Sequence, residues 1–213
     1  MVNRLLELSF FMKALRVVIA LVSFCVISNQ SINAQTDDYV RAELMQMRND
    51  DQEIRNKMVA EGMDVAMKDT LLMLKMTHMD SEHTKRLKEL LGSLAWFTKE
   101  GVGSSGLESA FILIQHSGDY QFQKRSLPFI EKQAKNGDVS MQDYALLLDR
   151  TLMHDNKPQK YGTQVIEVKG EWVPYQIEDE PNVDKRRSEI GLFPMQQYVG
   201  MINQFYKQRK EKK

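Results

Sequence analysis

The sequence has a single cysteine, Cys25, and it stands inside an apolar stretch near the N-terminus. If that stretch is removed, the rest of the chain has no disulfide and no thiol nucleophile. Long apolar runs are scarce as well. The longest, Val17 to Ile27, is about eleven residues, well short of the ~20 that a membrane-spanning helix needs. Neither sign of charge dominates, with 29 Lys and Arg against 29 Asp and Glu. Taking Arg4, Lys13 and Arg16 from the 29 basic residues, and Glu7 from the 29 acidic ones, leaves 26 against 28. No basic stripe remains, so nucleic acid is not an expected partner. Also missing are HExxH, CxxC, a dense carboxylate run, GxSxG, Ser-x-x-Lys, GxGxxG and a P-loop, so no metal and no cofactor is expected.

What is present begins with a leader. A second start stands at Met12, and "MKALRVVIALVSFCVISNQSINAQ" has the order of a secretory signal. Lys13 and Arg16 are its basic part, Val17 to Ile27 its apolar part, and Ser31 to Gln35 its small and polar end, with cleavage expected near Ala34 or Gln35. Phe24 is too bulky to precede a lipidated cysteine, which argues against a lipoprotein built on Cys25. Residues 1–35 are therefore expected to be a signal peptide, and 36–213 a periplasmic or extracellular domain without a membrane span.

With 42% hydrophobic and 27% charged residues, that part can bury one core. Val40, Leu44, Met47, Ile54 and Met58 form one helical stripe, and Asp51 falls in its gap with Arg55 one turn on. "VAMKDTLLMLKMTHM" reads as a second helix, and "EHTKRLKELLGSLAWF", capped by Asp80 or Ser81, as a third. "KEGVGSSG" reads as a flexible connection. "LESAFILIQH" is apolar all round and hence central, with His116 in its last turn. Ser117-Gly118 stops it, Gly118 taking a left-handed conformation, and Asp119 caps the next helix. Pro128 predicts a kink or break in that helix. Ser140 and Asp143 start another, with Tyr144, Leu147 and Leu148 facing inward. "YGTQVIEVKGEWVPYQI" alternates about Lys169-Gly170 as a β-hairpin. A short helix enters through Pro181. A terminal helix presents Tyr198, Met201, Ile202 and Phe205, and residues 207–213 fray as a basic tail. The expected fold is mainly α (α+β): a single-domain bundle of about six to seven helices with one small β-hairpin.

Five spaced signatures occur in order: "DQEIR" (Asp51, Gln52, Arg55), "LIQH" (Gln115, His116), "LLLDR" (Asp149, Arg150), "QKYGTQV" (Gln159, Tyr161, Gly162, Thr163, Gln164) and "VDKRRSEIGL" (Val183, Asp184, Arg187, Gly191, Leu192). Together they resemble the bacterial domain-of-unknown-function family 6624 over most of the chain beyond the leader. Members of that family often carry a His-Gly-Trp-Pro stretch where this sequence has "LAWFTKEGVG"; Trp96 matches its tryptophan, and the other three are absent. The resemblance implies a fold and a residue list, and no reaction.

The candidate chemistry follows from side-chain type and placement. His116 beside a carboxylate, Asp119 or Asp149, has the makings of a general base whose tautomer is fixed. The bland alternative is that His116 bonds a helix-end carbonyl while Asp119 merely caps. Arg150 and Arg187 offer planar forks for carboxylate or phosphate; the Asp149-Arg150 pair can equally be an internal ion pair reaching Asp51 or Arg55. Tyr161, Thr163 and Gln164 present ligand-orienting groups, with Tyr161 and Thr163 on one strand face. Asp51, Arg55 and Gln115 complete the set. His154 reads as exposed, and His78 and His83 need no function. Three functions stay open: a pocket for a small polar or anionic ligand, a hydrolase using His116, and a purely structural buried lattice.

Overall fold

A computed structural model describes residues 37–93 and 96–211; the expected signal peptide lies outside the described residues. Helix α1 covers 37–61 and is followed by the short α2, Met63–Ala66, and by α3, Thr70–Ser93. Then come α4, Lys99–His116, α5, Tyr120–Asn136, and α6, Met141–His154. Strands β1, Val165–Val168, and β2, Glu171–Pro174, precede a 3-10 turn at Glu180–Asn182, α7, Val183–Glu189, and α8, Met195–Glu211. The fold is mainly α with one small antiparallel hairpin. No helix among the described residues is long and apolar enough to cross a membrane.

The apolar stripes meet where the spacing places them. Val40, Leu44 and Met47 of α1 and Leu87 and Leu90 of α3 join one core with Leu107, Phe111, Leu113 and Ile114 of α4. Phe122 and Ile130 of α5 and Leu147 of α6 close it, so α4 is the central helix. A smaller cluster, Met58, Ala66 and Leu72, seals the far end of α1. In the hairpin Val165 pairs with Pro174 and Val168 with Glu171. Lys169 and Gly170 both take positive φ, 53° and 87°, as a tight two-residue turn requires.

Several expectations are corrected. Asp80 and Ser81 start no helix, because α3 is continuous through them; the apolar contacts of Leu72, Leu87 and Leu90 outweigh two local capping residues. The "KEGVGSSG" stretch is not a loop. Thr98 caps α4, its Oγ1 accepting from Gly101 N at 3.2 Å, and the helix kinks at Gly103, φ 68°. Gly103 is the residue that can take the left-handed φ of that kink, and Val102 beside it is buried in the core. Gly118 is not left-handed; α4 ends because Ser117 turns extended, φ −57° and ψ 131°. Pro128 does not break α5. It sits on the exposed face, as does Lys124, whose carbonyl loses its helical donor there and can turn to water.

The terminal helix is rotated from the expected face. Met201 and Phe205 are each 49% exposed, while Tyr198, Ile202, Asn203 and Tyr206 turn inward. A polar residue causes this. Asn203 Nδ2 donates to Trp172 O and Asn203 Oδ1 accepts from Trp172 N, both at 2.8 Å, while Tyr206 stacks on the Trp172 ring. Residues 207–211 of the expected frayed tail are helical, continuing α8 to Glu211.

Candidate functional site

The gap in the α1 stripe is the key to the site. Asp51 is 0% exposed and stands where a core residue would be expected. Its carboxylate accepts from Arg55 Nε at 2.9 Å and from Gln52 Nε2 at 3.0 Å. It also accepts from His116 Nδ1, which lies 3.0 Å from Oδ1 and 2.8 Å from Oδ2. Burial alone would raise the Asp51 carboxyl, but the hydrogen bond and charge of His116, with those of Arg55, hold it below the usual carboxylate range. An ionised carboxylate only accepts, so the proton on this contact belongs to Nδ1 of His116. The other ring nitrogen, Nε2, bonds no described residue and is not buried.

Arg55 extends the network, its Nη2 donating to Asp80 Oδ1 at 2.7 Å. Burial raises the Asp80 carboxyl, with Arg55 pulling the other way. On the far side Arg150 Nη1 donates to the Gln115 carbonyl at 2.5 Å. That carbonyl is one of the orphans at the end of α4. Gln123 Nε2 binds the rest of this corner, donating to the carbonyls of Ile114, Gln115 and Ser117. His116 is thus fixed from below by Asp51, and the backbone on either side of it is held by Gln123 of α5 and Arg150 of α6.

Two chambers open beside the imidazole, and His116, Asp80 and Gly118 line both. The larger, about 730 Å³, is lined further by Thr77, Ser81, Thr84, Lys85 and Lys88. The smaller, about 550 Å³, is lined by Arg55, Arg150, Gln115, Tyr120, Gln123 and His154. Arg150 has no carboxylate within ion-pair distance among the described residues. Burial and the charge of Arg55 both weigh against its positive charge, so the smaller chamber holds a guanidinium without a counter-ion.

Of the remaining candidates Asp119 also lines the larger chamber, and the others lie away from both. Asp119 is not the partner of His116: it caps α5 through Phe122 N at 2.8 Å and pairs with Lys88 Nζ at 2.5 Å. Asp149 is not the partner either. It is 0% exposed and accepts from the backbone amides of Lys160, Tyr161 and Thr163 and from Thr163 Oγ1. Burial pushes its carboxyl up against those four donors. The Asp149-Arg150 ion pair to Asp51 or Arg55 does not form.

Tyr161, Thr163, Gln164 and Arg187 build a second, sealed network around Asp149 and away from the chambers. Gln164 donates to Leu146 O, and Gln159 ties Gln164 to Tyr175. Arg187, 1% exposed, donates to the carbonyls of Tyr161, Gly162 and Phe193 and packs on the Tyr198 ring at 4.8 Å. Gly162 is required, since its φ is 68° and a Cβ would meet Met195 Sδ at 2.6 Å.

Residues 38–211 match the model of a family of unknown function, DUF6624. The chain belongs to that family. No curated protein and no solved structure matches it. Within this DUF6624 chain the ordered signatures divide in two: "DQEIR" and "LIQH" build the open site, while Asp149, "YGTQ" and Arg187 build the sealed one. Arg150, next to Asp149, faces the open site. Sequence reasoning missed Asp80, read as a helix cap; His154, read as exposed, is exposed, and it also lines the smaller chamber. His154 ends α6 against Tyr120 at 4.9 Å. The signal for Asp80 was available: Met73, Met76 and Asp80 recur at helical spacing, which carries α3 through the position. Among the described residues, no group of three or more His, Cys, Asp or Glu is arranged to hold a metal ion.

Proposed function

We propose that the cleft binds a small anionic ligand and that His116 acts there as a general base, making this an exported hydrolase. The observation that carries the reading is the contact of His116 Nδ1 with a wholly buried carboxylate, Asp51, at 2.8 Å, while Nε2 stays free at a cleft. A carboxylate so placed fixes the tautomer with Nε2 as acceptor and stabilises the imidazolium that forms when Nε2 takes a proton. Stationing an ionised carboxylate without solvent contact is expensive, and here it orients an imidazole whose second nitrogen faces the cleft.

Arg150 supplies the anion site. Its fork is half-buried, lacks a carboxylate partner and matches a carboxylate or phosphate in two-point contact. Water is the nucleophile in this reading; Ser117 Oγ, next in sequence to His116, is engaged by Thr84 Oγ1 and by Asp119 N. Export is supported by the order of basic, apolar and small residues in 1–35.

The test has two arms. Inorganic phosphate and succinate are titrated while the melting temperature is followed; turnover of p-nitrophenyl phosphate and p-nitrophenyl hydrogen succinate is measured in parallel. Wild type is expected to be stabilised by one anion and to turn over the matching ester. His116→Ala should lose about 10²–10⁴ in kcat, and Arg150→Ala should chiefly raise KM. An anion-dependent shift without turnover would reduce the site to a binding pocket. No shift and no turnover would remove the site altogether.

A further inference from the structure

The two chambers meet at His116, and one other ionisable side chain stands at that junction. Asp80 lines both. Its Oδ1 is held by Arg55 Nη2 at 2.7 Å, whereas Oδ2 bonds no described residue and is not buried. Arg55 carries Asp51 on Nε and Asp80 on Nη2, so one guanidinium sets the position of the His116 partner and of Asp80 together. The side chain of Asp80 is 14% exposed and that of His116 24%, both open toward the cleft.

Resting on the hydrolase reading above, we infer that Asp80 is a second catalytic residue, the proton donor to the leaving group. The substrate is then an ester of an anionic acid whose two halves lie on either side of His116. The acid half lies on Arg150 in the smaller chamber. The alcohol half lies in the larger one, beside the hydroxyls of Thr77 and Ser81. In the step itself, His116 Nε2 takes a proton from water while the water oxygen bonds to the acyl carbon or phosphorus. The bond from that atom to the alcohol oxygen breaks, its electron pair goes to the oxygen, and Oδ2–H of Asp80 supplies the proton. The products are the acid and the alcohol, and the proton on His116 returns to Asp80 through solvent. Burial favours the protonated carboxyl that this role needs, and Arg55, bound only at Oδ1, leaves Oδ2 to carry the proton.

Leaving-group dependence separates this role from a structural one. p-Nitrophenolate departs without a proton and ethoxide does not. Wild type, Asp80→Asn and Asp80→Glu are compared on p-nitrophenyl and ethyl hydrogen succinate, and on p-nitrophenyl and ethyl phosphate; the pair that turns over tells whether the anion is a carboxylate or a phosphate. Asp80→Asn is expected to lose about 10²–10⁴ in kcat on the ethyl ester and less than about tenfold on the p-nitrophenyl ester. Asp80→Glu, which keeps an acid, should regain part of the ethyl activity. Equal losses on both esters, or none, overturn the assignment. Should Asp80→Asn fail to fold, wild type still decides, because a p-nitrophenyl over ethyl preference as large as that of the uncatalysed hydrolysis means that no donor serves the leaving oxygen. If wild type turns over no ester, the hydrolase reading falls and this inference with it. Turnover lost in His116→Ala but unchanged in Asp80→Asn overturns the inference alone.

Discussion

Replacing Asp51 by asparagine tests the centre of the site while changing almost no volume. The carboxylate is 0% exposed and accepts charge-assisted bonds from Arg55 Nε at 2.9 Å and His116 Nδ1 at 2.8 Å. An amide keeps one acceptor oxygen and puts a donor where the other accepted, so one cationic or imidazole donor is left facing it. Hydrogen bonds to charged groups contribute about 1.5–3 kcal/mol each, and removing one partner of a buried pair costs about 3–5 kcal/mol. Because one acceptor survives, the lower figure applies, about 3 kcal/mol, or roughly 6–12 °C in Tm for a domain of this size. Urea and thermal denaturation at neutral pH would measure it. The pH dependence has a definite sign. A carboxyl held below its ordinary value of 3.8 stabilises the fold above that value, and the contribution is lost as pH falls through the folded pKa. The gap between wild type and Asp51→Asn should therefore be constant above about pH 5 and shrink only in stronger acid. A loss below about 1 kcal/mol, or a gap that closes near neutrality, would refute the claim that Asp51 is an ionised buried anchor.

Asp149→Asn should cost about 3 kcal/mol in urea denaturation, because the amide keeps one acceptor oxygen but turns an NH2 toward the donors that met the other; kcat of any folded fraction should stay unchanged, since Asp149 lies outside the cleft. Gly162→Ala should also cost about 3 kcal/mol, combining left-handed strain with a clash against Met195, and a Tm unchanged within a degree would contradict the packing described.

Much of the fold was legible because its signals are local. The stripe of α1, the Ser140 cap and the alternation about Lys169-Gly170 each encode their element within a few residues. What failed did so where a distant partner decides. "KEGVGSSG" has the composition of a loop, yet Thr98 caps it as a helix and Val102 seats it in the core shared with α1 and α3. Met201 and Phe205 fit an apolar face, but Asn203 turns the helix to satisfy the backbone of Trp172. The site shows the same division. Sequence spacing placed Asp51 in the core stripe and His116 at the end of a buried helix. It did not pair them, because the contact joins positions 65 residues apart. Asp119, close in sequence, looked like the natural partner, and its own capping duty and Lys88 claim it instead.

Two buried carboxylates with similar neighbours serve different ends, and the difference lies in what their partners have left over. Around Asp149 the donors are mostly backbone amides, fixed by the fold, and its hydroxyl donor, Thr163, is held in the same loop; Arg187 closes that loop by spending its fork on carbonyls. A network of that kind orders residues 159–164 and leaves neither oxygen of Asp149 free for a ligand. Around Asp51 the donors are side chains with second functions. His116 spends Nδ1 and keeps Nε2, Arg55 spends Nε and goes on to hold Asp80, and Asp80 spends Oδ1 and keeps Oδ2. His116 and Asp80 are each held at one atom while a chemically competent atom remains at the cleft. That is preorganisation: reactive groups are oriented before any ligand arrives, at a desolvation cost met by Asp51. The open site and the sealed lattice use the same residue types, so composition could not separate them. The unsatisfied atoms do.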